Sequence, residues 1–176
     1  MRGGGILMHI SSLPSKYGIG TLGSKAYEFV DFLSEAGQKY WQILPIGPTS
    51  FGDSPYQSPS SYAGNPYFID LDFLISDGVL KPEDINDISF GSDSDHVDYG
   101  ALYHGRNIVF EKICDSFSET DQPGYREFCE ANSFWLDDHA LFMAIKEDSN
   151  GAVWANLDSG IKYRKPEALK RYSERL

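Results

Sequence analysis

The sequence predicts an α/β fold whose strands form the front end of a larger parallel architecture. Two observations predict this. The apolar run Gly5–Ile10 (GILMHI), a helical pattern from Ser24 and the apolar run Tyr40–Ile46 (YWQILPI) follow one another as strand, helix, strand. Such a connection is right-handed and leaves its two strands parallel and adjacent. Both runs are also apolar without alternation, as in strands buried on both faces. No third strand is legible after Asp72, and two parallel strands can neither bury both faces nor close a barrel.

Taken in order, Gly5–Ile10 is bounded by glycines and by SSLPS, which makes it a buried strand with His9 near its carboxyl end. Ser11–Gly23 is a loop punctuated by Pro14, Gly18, Gly20 and Gly23. The helix that follows has Ser24 as its expected N-cap and Gly37 as its left-handed stop. Tyr27, Phe29, Val30, Phe32 and Leu33 give it a broad apolar face. Pro45 places the end of the second strand near Ile46. Beyond Asp72 the chain is acidic and irregular to Ser94, with a helix start at Lys81–Asp84. Helical patterns then run from Asp98 (Leu102, Val109, Ile113 and Phe117 on one face), over 122–131, over 135–147 (Leu136, Ala140, Leu141, Ala144, Ile145) and from Pro166. Asn150-Gly151 ends the third of these. The expected division is 1–72 as the βαβ part, carrying a ligand loop at 47–66, and 73–176 as a mainly helical subdomain.

Composition excludes several classes of function. The 176 residues are 41% apolar and 14% aromatic, enough for a sizeable core and unlike a disordered chain. The formal net charge of −11, with no basic run to offset it, disfavours nucleic acid as a partner. The N-terminus carries neither a signal peptide nor a membrane span. Cys114 and Cys129 have no ligand spacing and are expected as reduced helix residues, Cys114 buried on an apolar stripe. These features fit a cytoplasmic protein.

The chemistry is concentrated in Gly47–Pro66, at the carboxyl end of the second strand, where α/β folds bind ligands. The segment GDSPYQS gathers Asp, Ser and Gln around a tyrosine, and Phe51, Tyr56, Tyr62 and Tyr67 add aromatic faces. Sugars need this mixture: hydroxyls pair with Asp, Ser, Asn and Gln, while the C–H faces of the ring lie on aromatic side chains. A rigid, proline-braced loop whose tyrosines pack on the fold explains the composition equally well. Asp53, Asp70 and Asp72 identify no catalytic pair among 26 acidic residues, and Asp70 and Asp72 are expected as loop or strand-end residues. His9 is expected as a satisfied core histidine. His96, His104 and His139 carry no ligand spacing, and no Ser/His/Asp order or phosphate loop is present.

The run from Gly5 to Leu80 resembles the N-terminal part of the 4-α-glucanotransferases, the amylomaltases and disproportionating enzymes. The motifs SSLPS..GIG.LG, WQ.LP.GPT and GDSPYQS..S.AGNPY carry the likeness. It continues more loosely through VDYGALYHGRNIVFEKI, FWLDDHALFMAIKE and the segment at Trp154. The resemblance implies the N-terminal portion of a (β/α)8 TIM barrel, its first two parallel strands and the helix between them, with a helical insertion subdomain after the second strand. It implies transfer of an α-1,4-glucan segment to the 4-hydroxyl of another glucan or glucose, with retention through a covalent glycosyl-enzyme and without a cofactor.

By the same likeness Ser54 and Tyr56 line the donor subsite, Tyr56 as the stacking ring and Ser54 as a polar contact. Phe51 stands where some members carry a tyrosine of a second, remote glucan site; it keeps the ring and lacks the hydroxyl. The family's nucleophilic Asp, acid/base Glu and second Asp belong to later strands, so no catalytic carboxylate is expected before Leu176. The expected activity of the 176 residues alone is nil. Two further expectations stand beside this one: a maltooligosaccharide-binding or barrel-completing piece, and a fragment that self-associates through open strand edges.

Overall fold

The computed structural model describes residues 2–50, 52–117 and 124–176. The chain forms two compact units, Met1–Ser118 and Glu119–Leu176. In the first, β1 (Gly5–Leu7), α1 (Ser24–Glu35) and β2 (Tyr40–Gln42) form the expected βαβ unit. The strands pair in parallel, with Gly5 opposite Tyr40, Ile6 opposite Trp41 and Leu7 opposite Gln42. The ladder extends by one bond at each end, from Lys39 N–H to the Gly4 carbonyl at 2.9 Å and from Met8 N–H to the Gln42 carbonyl at 3.0 Å.

The strands differ from expectation in length and in burial. Each spans three residues, and Leu7 is 62% exposed. Apolarity along Gly5–Ile10 and Tyr40–Ile46 was the basis for expecting burial. With only one neighbouring strand among the described residues, the ladder stops early and the sheet faces stay open. The same holds for α1, which buries Ala26 and Leu33 while Tyr27, Val30 and Phe32 are exposed. Its N-cap is Gly23 and Ser24 is already helical. The Asp70 carboxylate, which accepts from the Thr21 hydroxyl, lies against this helix start and leaves no room for a side chain at Gly23. Gly37 ends the helix at φ 71°, as expected.

The core of the first unit lies below the loops. Ile10, Leu13, Tyr17 and Ile19 of the SSLPS–GIG segment meet Phe68, Leu71, Leu80, Phe90, Leu102 and Val109. Residues on both sides of Asp72 share this core. The stretch expected to be irregular contains α2 (Leu71–Ser76), capped by Asp70 accepting from Phe73 N–H at 3.1 Å. The helix start expected at Lys81 is a single 3-10 turn, Pro82–Asp84. α3 (Tyr99–Ser116) begins at Asp98, which accepts from Ala101 N–H at 3.0 Å. It buries Leu102, Gly105, Arg106 and Val109, whereas Phe117 and Cys114 are exposed. Cys114 is thus a surface residue on the flank of the stripe, and both cysteines are free.

The second unit is helical: α4 (Tyr125–Asn132), α5 (Leu136–Asp148), α6 (Ser159–Lys162) and α7 (Pro166–Arg175). The expected start of α4 at Gln122 lies outside the described residues. Ile145, Leu157, Ile161 and Ala168 form its core, and Ala140, placed on the expected stripe, is exposed. Asn150 and Gly151, at φ 51° and 73°, terminate α5 as expected. The Asp158 carboxylate caps α6 through Gly160 N–H at 2.7 Å and Ile161 N–H at 3.3 Å. No helix among the described residues is long and apolar enough to cross a membrane.

Candidate functional site

The loop 47–66 leaves the carboxyl end of β2 and returns to it. Asn65 N–H donates to the Ile46 carbonyl at 2.8 Å and closes the base. Asn65 is buried, and its side-chain oxygen accepts from Tyr67 N–H at 2.9 Å to start the turn Pro66–Phe68. His9 braces the entry side: its Nδ1 accepts from Leu44 N–H at 3.3 Å and its ring meets Phe68 edge-on at 5.3 Å. That bond puts the ring proton on Nε2, and burial holds the His9 pKa below its ordinary value. His9 is the satisfied histidine that the sequence suggested.

Inside the loop, serine hydroxyls replace secondary structure. Ser50 Oγ donates to the Gln57 carbonyl at 2.9 Å. Asp53 N–H and Gln57 N–H close turns onto the Ser50 and Ser54 carbonyls at 3.0 and 3.1 Å. Ser58 Oγ donates to the Ser60 carbonyl at 2.7 Å, and Ser60 Oγ accepts from Tyr62 and Ala63 N–H at 3.1 and 3.0 Å. Gly52 and Asp53 both take the left-handed backbone, at φ 90° and 55°. For Asp53 that conformation is uncommon, and it is tolerated because the short polar side chain costs little there.

Ser54 and Tyr56 sit side by side in this frame: Tyr56 N–H reaches Ser54 Oγ at 3.3 Å. Ser54 is half-buried, and the Tyr56 ring is 72% exposed. The loop is therefore braced by its serines, while the Tyr56 ring is left facing solvent. Tyr67 is different, half-buried against the core. Burial, and then the nearby Asp53 carboxylate, push the Tyr67 phenol above its ordinary pKa, and the same two causes act on Tyr99 of α3. Phe51 lies outside the described residues.

The carboxylates near the loop have structural partners. Asp70 caps α2 and accepts from Thr21. Asp72 accepts from the Tyr17 hydroxyl at 2.6 Å and pairs with Lys16 at 2.9 Å. Burial alone would raise the Asp72 pKa, but these two hydrogen bonds outweigh it and hold it below the usual carboxylate range. Neither sits at a strand end as expected: Asp70 is the N-cap of α2 and Asp72 lies in its first turn. Both tie this helix start to the segment 16–21. Among the described residues no group of three or more His, Cys, Asp or Glu could hold a metal ion.

One residue under the loop was not read from the sequence. Arg106 of α3 is 0% exposed and lies on the same helix face as Leu102 and Val109. Its Nη1 donates to the Ile69 carbonyl at 3.0 Å and its Nη2 to the Tyr67 carbonyl at 3.3 Å. Its guanidinium stands over the Phe90 ring at 5.7 Å. The available signal was its spacing, three and four residues from two buried apolar positions.

A parallel βαβ unit with a braced, aromatic loop at the carboxyl end of its second strand is the arrangement of α/β enzymes that bind ligand at strand ends. A family model described as 4-alpha-glucanotransferase matches residues 8–176, and the chain belongs to that family. It is 49% identical over 169 residues to the 4-alpha-glucanotransferase of Clostridium butyricum, a match covering 96% of this chain and 35% of that protein. It is 33% identical over 178 residues to the chloroplastic/amyloplastic 4-alpha-glucanotransferase of Solanum tuberosum, covering 96% of this chain and 30% of that protein. Among solved structures, an amylomaltase from Streptococcus agalactiae in complex with acarbose superposes with a TM-score of 0.93 at 46% identity, over 100% of this chain and 36% of that one. The chain spans about a third of the length of these relatives.

Proposed function

We propose that this chain supplies one wall of the donor site of a 4-α-glucanotransferase. The whole enzyme transfers a segment of an α-1,4-glucan to the 4-hydroxyl of another glucan or of glucose, in the cytoplasm and without a cofactor. On this reading residues 1–72 contribute the first two strands of a (β/α)8 barrel, and 73–176 form a helical insertion subdomain. The observation that carries the proposal is the exposed Tyr56 ring beside Ser54, in a loop stiffened by its own hydroxyls at the strand carboxyl ends. A flat ring held in place can take the C–H face of a glucose unit at little entropic cost, and Ser54 Oγ can accept from or donate to a sugar hydroxyl.

Retention with a glycosyl-enzyme intermediate needs two carboxyl groups about 5–5.5 Å apart. As the family resemblance implies, the proposal assigns the nucleophile and the acid/base to residues outside 1–176, and Asp70 and Asp72 are held by structural partners. Transfer succeeds over hydrolysis only if water is kept from the intermediate. A sugar ring covering Tyr56 would contribute to that exclusion.

The test is Tyr56→Ala in a polypeptide that carries this segment and transfers glucan. The expected loss in kcat/KM is about tenfold, ~1.4 kcal/mol of binding at the transition state, with the melting temperature unchanged. Unchanged kcat/KM would overturn the assignment. A second reading, self-association of the 176 residues through the open sheet, is favoured by the exposure of Ile6, Leu7 and Tyr40 along the two strands.

A further inference from the structure

Arg106 is the most costly side chain in the first unit. A guanidinium removed from water needs a carboxylate or a full set of acceptors. Among the described residues no carboxylate pairs with it within 4.0 Å, and its Nε has no partner. Burial accordingly lowers its pKa to about 10, against the opposing influence of Asp70. A helix face that buries Leu102 and Val109 would be better served by a third apolar residue if packing were all it did.

What the guanidinium does is hold two backbone carbonyls, those of Tyr67 and Ile69, on either side of buried Phe68. These residues are the exit of the loop 47–66. Asn65, two residues earlier, closes the loop base on Ile46. Phe68 packs edge-on to His9, which holds the entry side through Leu44. Tyr67 N–H also donates to the Asn65 side-chain oxygen at 2.9 Å. Arg106 therefore holds the exit of the loop and, through Tyr67 and Asn65, the base from which the loop springs.

We propose that Arg106 is a positioning residue for Ser54 and Tyr56. By fixing the Tyr67 and Ile69 carbonyls it sets the orientation in which the loop leaves the core, and with it the direction of the Tyr56 ring. A lysine at this position reaches one carbonyl at a time, because its ammonium is a single point and not a planar fork. The proposal extends the glucan-site reading above and rests on it for the consequence in activity. The effect on the loop itself is independent of that reading.

Three variants separate the possibilities: Arg106→Met, Arg106→Lys and, as an equally buried control on the same helix face whose side chain makes no hydrogen bond to the loop exit, Val109→Ala. Amide exchange is followed in the 176-residue chain. In Arg106→Met the Asp53 and Gln57 amides, which close the two turns, are expected to exchange about tenfold faster relative to the α3 amides, the loss of about one charge-assisted hydrogen bond. Arg106→Lys is expected to lie between, and Val109→Ala to leave the ratio unchanged. Equal acceleration of loop and helix in all three variants would mean that Arg106 only stabilises, and would overturn the proposal. In an active polypeptide, Arg106→Met added to Tyr56→Ala should cost little beyond Tyr56→Ala alone, because both act through one contact. Full additivity would contradict it. Faster loop exchange with no effect of Tyr56→Ala on activity would sustain the positioning of the loop by Arg106 and overturn the glucan-site reading instead.

Discussion

The Trp41 indole N–H donates to the Met8 carbonyl at 2.7 Å, just past the last paired position of the two strands. A side chain of β2 thus extends a ladder that backbone pairing leaves at three residues, and it does so where the chain turns into the ligand-side loops. Trp41 also meets Phe29 of α1 edge-on at 4.9 Å, so one ring ties both strands to the crossover helix. Trp41→Phe keeps the apolar contact and removes the donor. It should cost about 1 kcal/mol by urea unfolding, and Trp41→Ala about 3 kcal/mol. A Trp41→Phe variant as stable as the parent would show that the hydrogen bond contributes nothing.

Two glycines with almost the same backbone should respond very differently to alanine. Gly18 has φ 76°, and a Cβ there would lie 1.9 Å from the Phe90 carbonyl oxygen. Gly37 has φ 71° with nothing within 4 Å. Gly37→Ala therefore meets only the left-handed penalty, about 1 kcal/mol. Gly18→Ala must also separate the SSLPS–GIG segment from the backbone at Phe90 and should cost ~3 kcal/mol or more. The difference in urea midpoints between the two variants measures that close approach.

The order strand, helix, strand was legible because glycines and prolines punctuate it and the apolar runs fall between them. Strand length was not. Ile43 and Ile46 are as apolar as Ile6, yet a residue is in a strand only where a neighbour pairs with it, and pairing is not written locally. Burial was overestimated for the same reason at Tyr27, Phe32 and Cys114, since an apolar side chain states what it could cover and not what covers it. The tightness of the loop was legible as Ser, Pro and Gly content. The hydroxyl-to-carbonyl bonds of Ser50 and Ser58 depend on a return path that no spacing rule specifies. Arg106 was missed because a cation inside an apolar stripe reads as a gap in the stripe.

His9 and Asp72 both carry lowered pKa values, in different windows. Burial keeps His9 neutral while its Nδ1 accepts from Leu44. The unfolded chain binds that proton first, so stability is present above the ordinary pKa of 6.5 and is lost as pH falls from there through the folded value. Asp72 repeats this below its ordinary 3.8, where protonation weakens the bonds from Tyr17 and Lys16. Melting temperatures recorded from pH 8 to 3 should fall in two steps. His9→Gln should shrink the upper step, which His139 shares because burial lowers its pKa too, and Asp72→Asn the lower, to which Asp93 also contributes. Steps of undiminished size in both variants would place the acid sensitivity elsewhere.

The open sheet makes a prediction about association. Leu7, Tyr40 and Ile6 are exposed along the two strands, and Phe32 is exposed on the crossover helix. Chains presenting such an apolar face associate unless it is covered. The net charge of −11 opposes this, so association should strengthen with salt as repulsion is screened. Sedimentation velocity at 0.05 and 0.5 M NaCl should show the shift, and Leu7→Lys should abolish it. A monodisperse monomer at both salt concentrations would show that the face is silent.

The separation of sugar contact from bond cleavage is tested most directly by incubating the purified 176-residue chain with maltotriose and measuring released glucose. No glucose above the blank is expected, because the proposal, following the family resemblance, assigns the catalytic carboxylates outside residues 1–176. Sustained, enzyme-dependent glucose release would contradict this and place a working acid and nucleophile within residues 1–176.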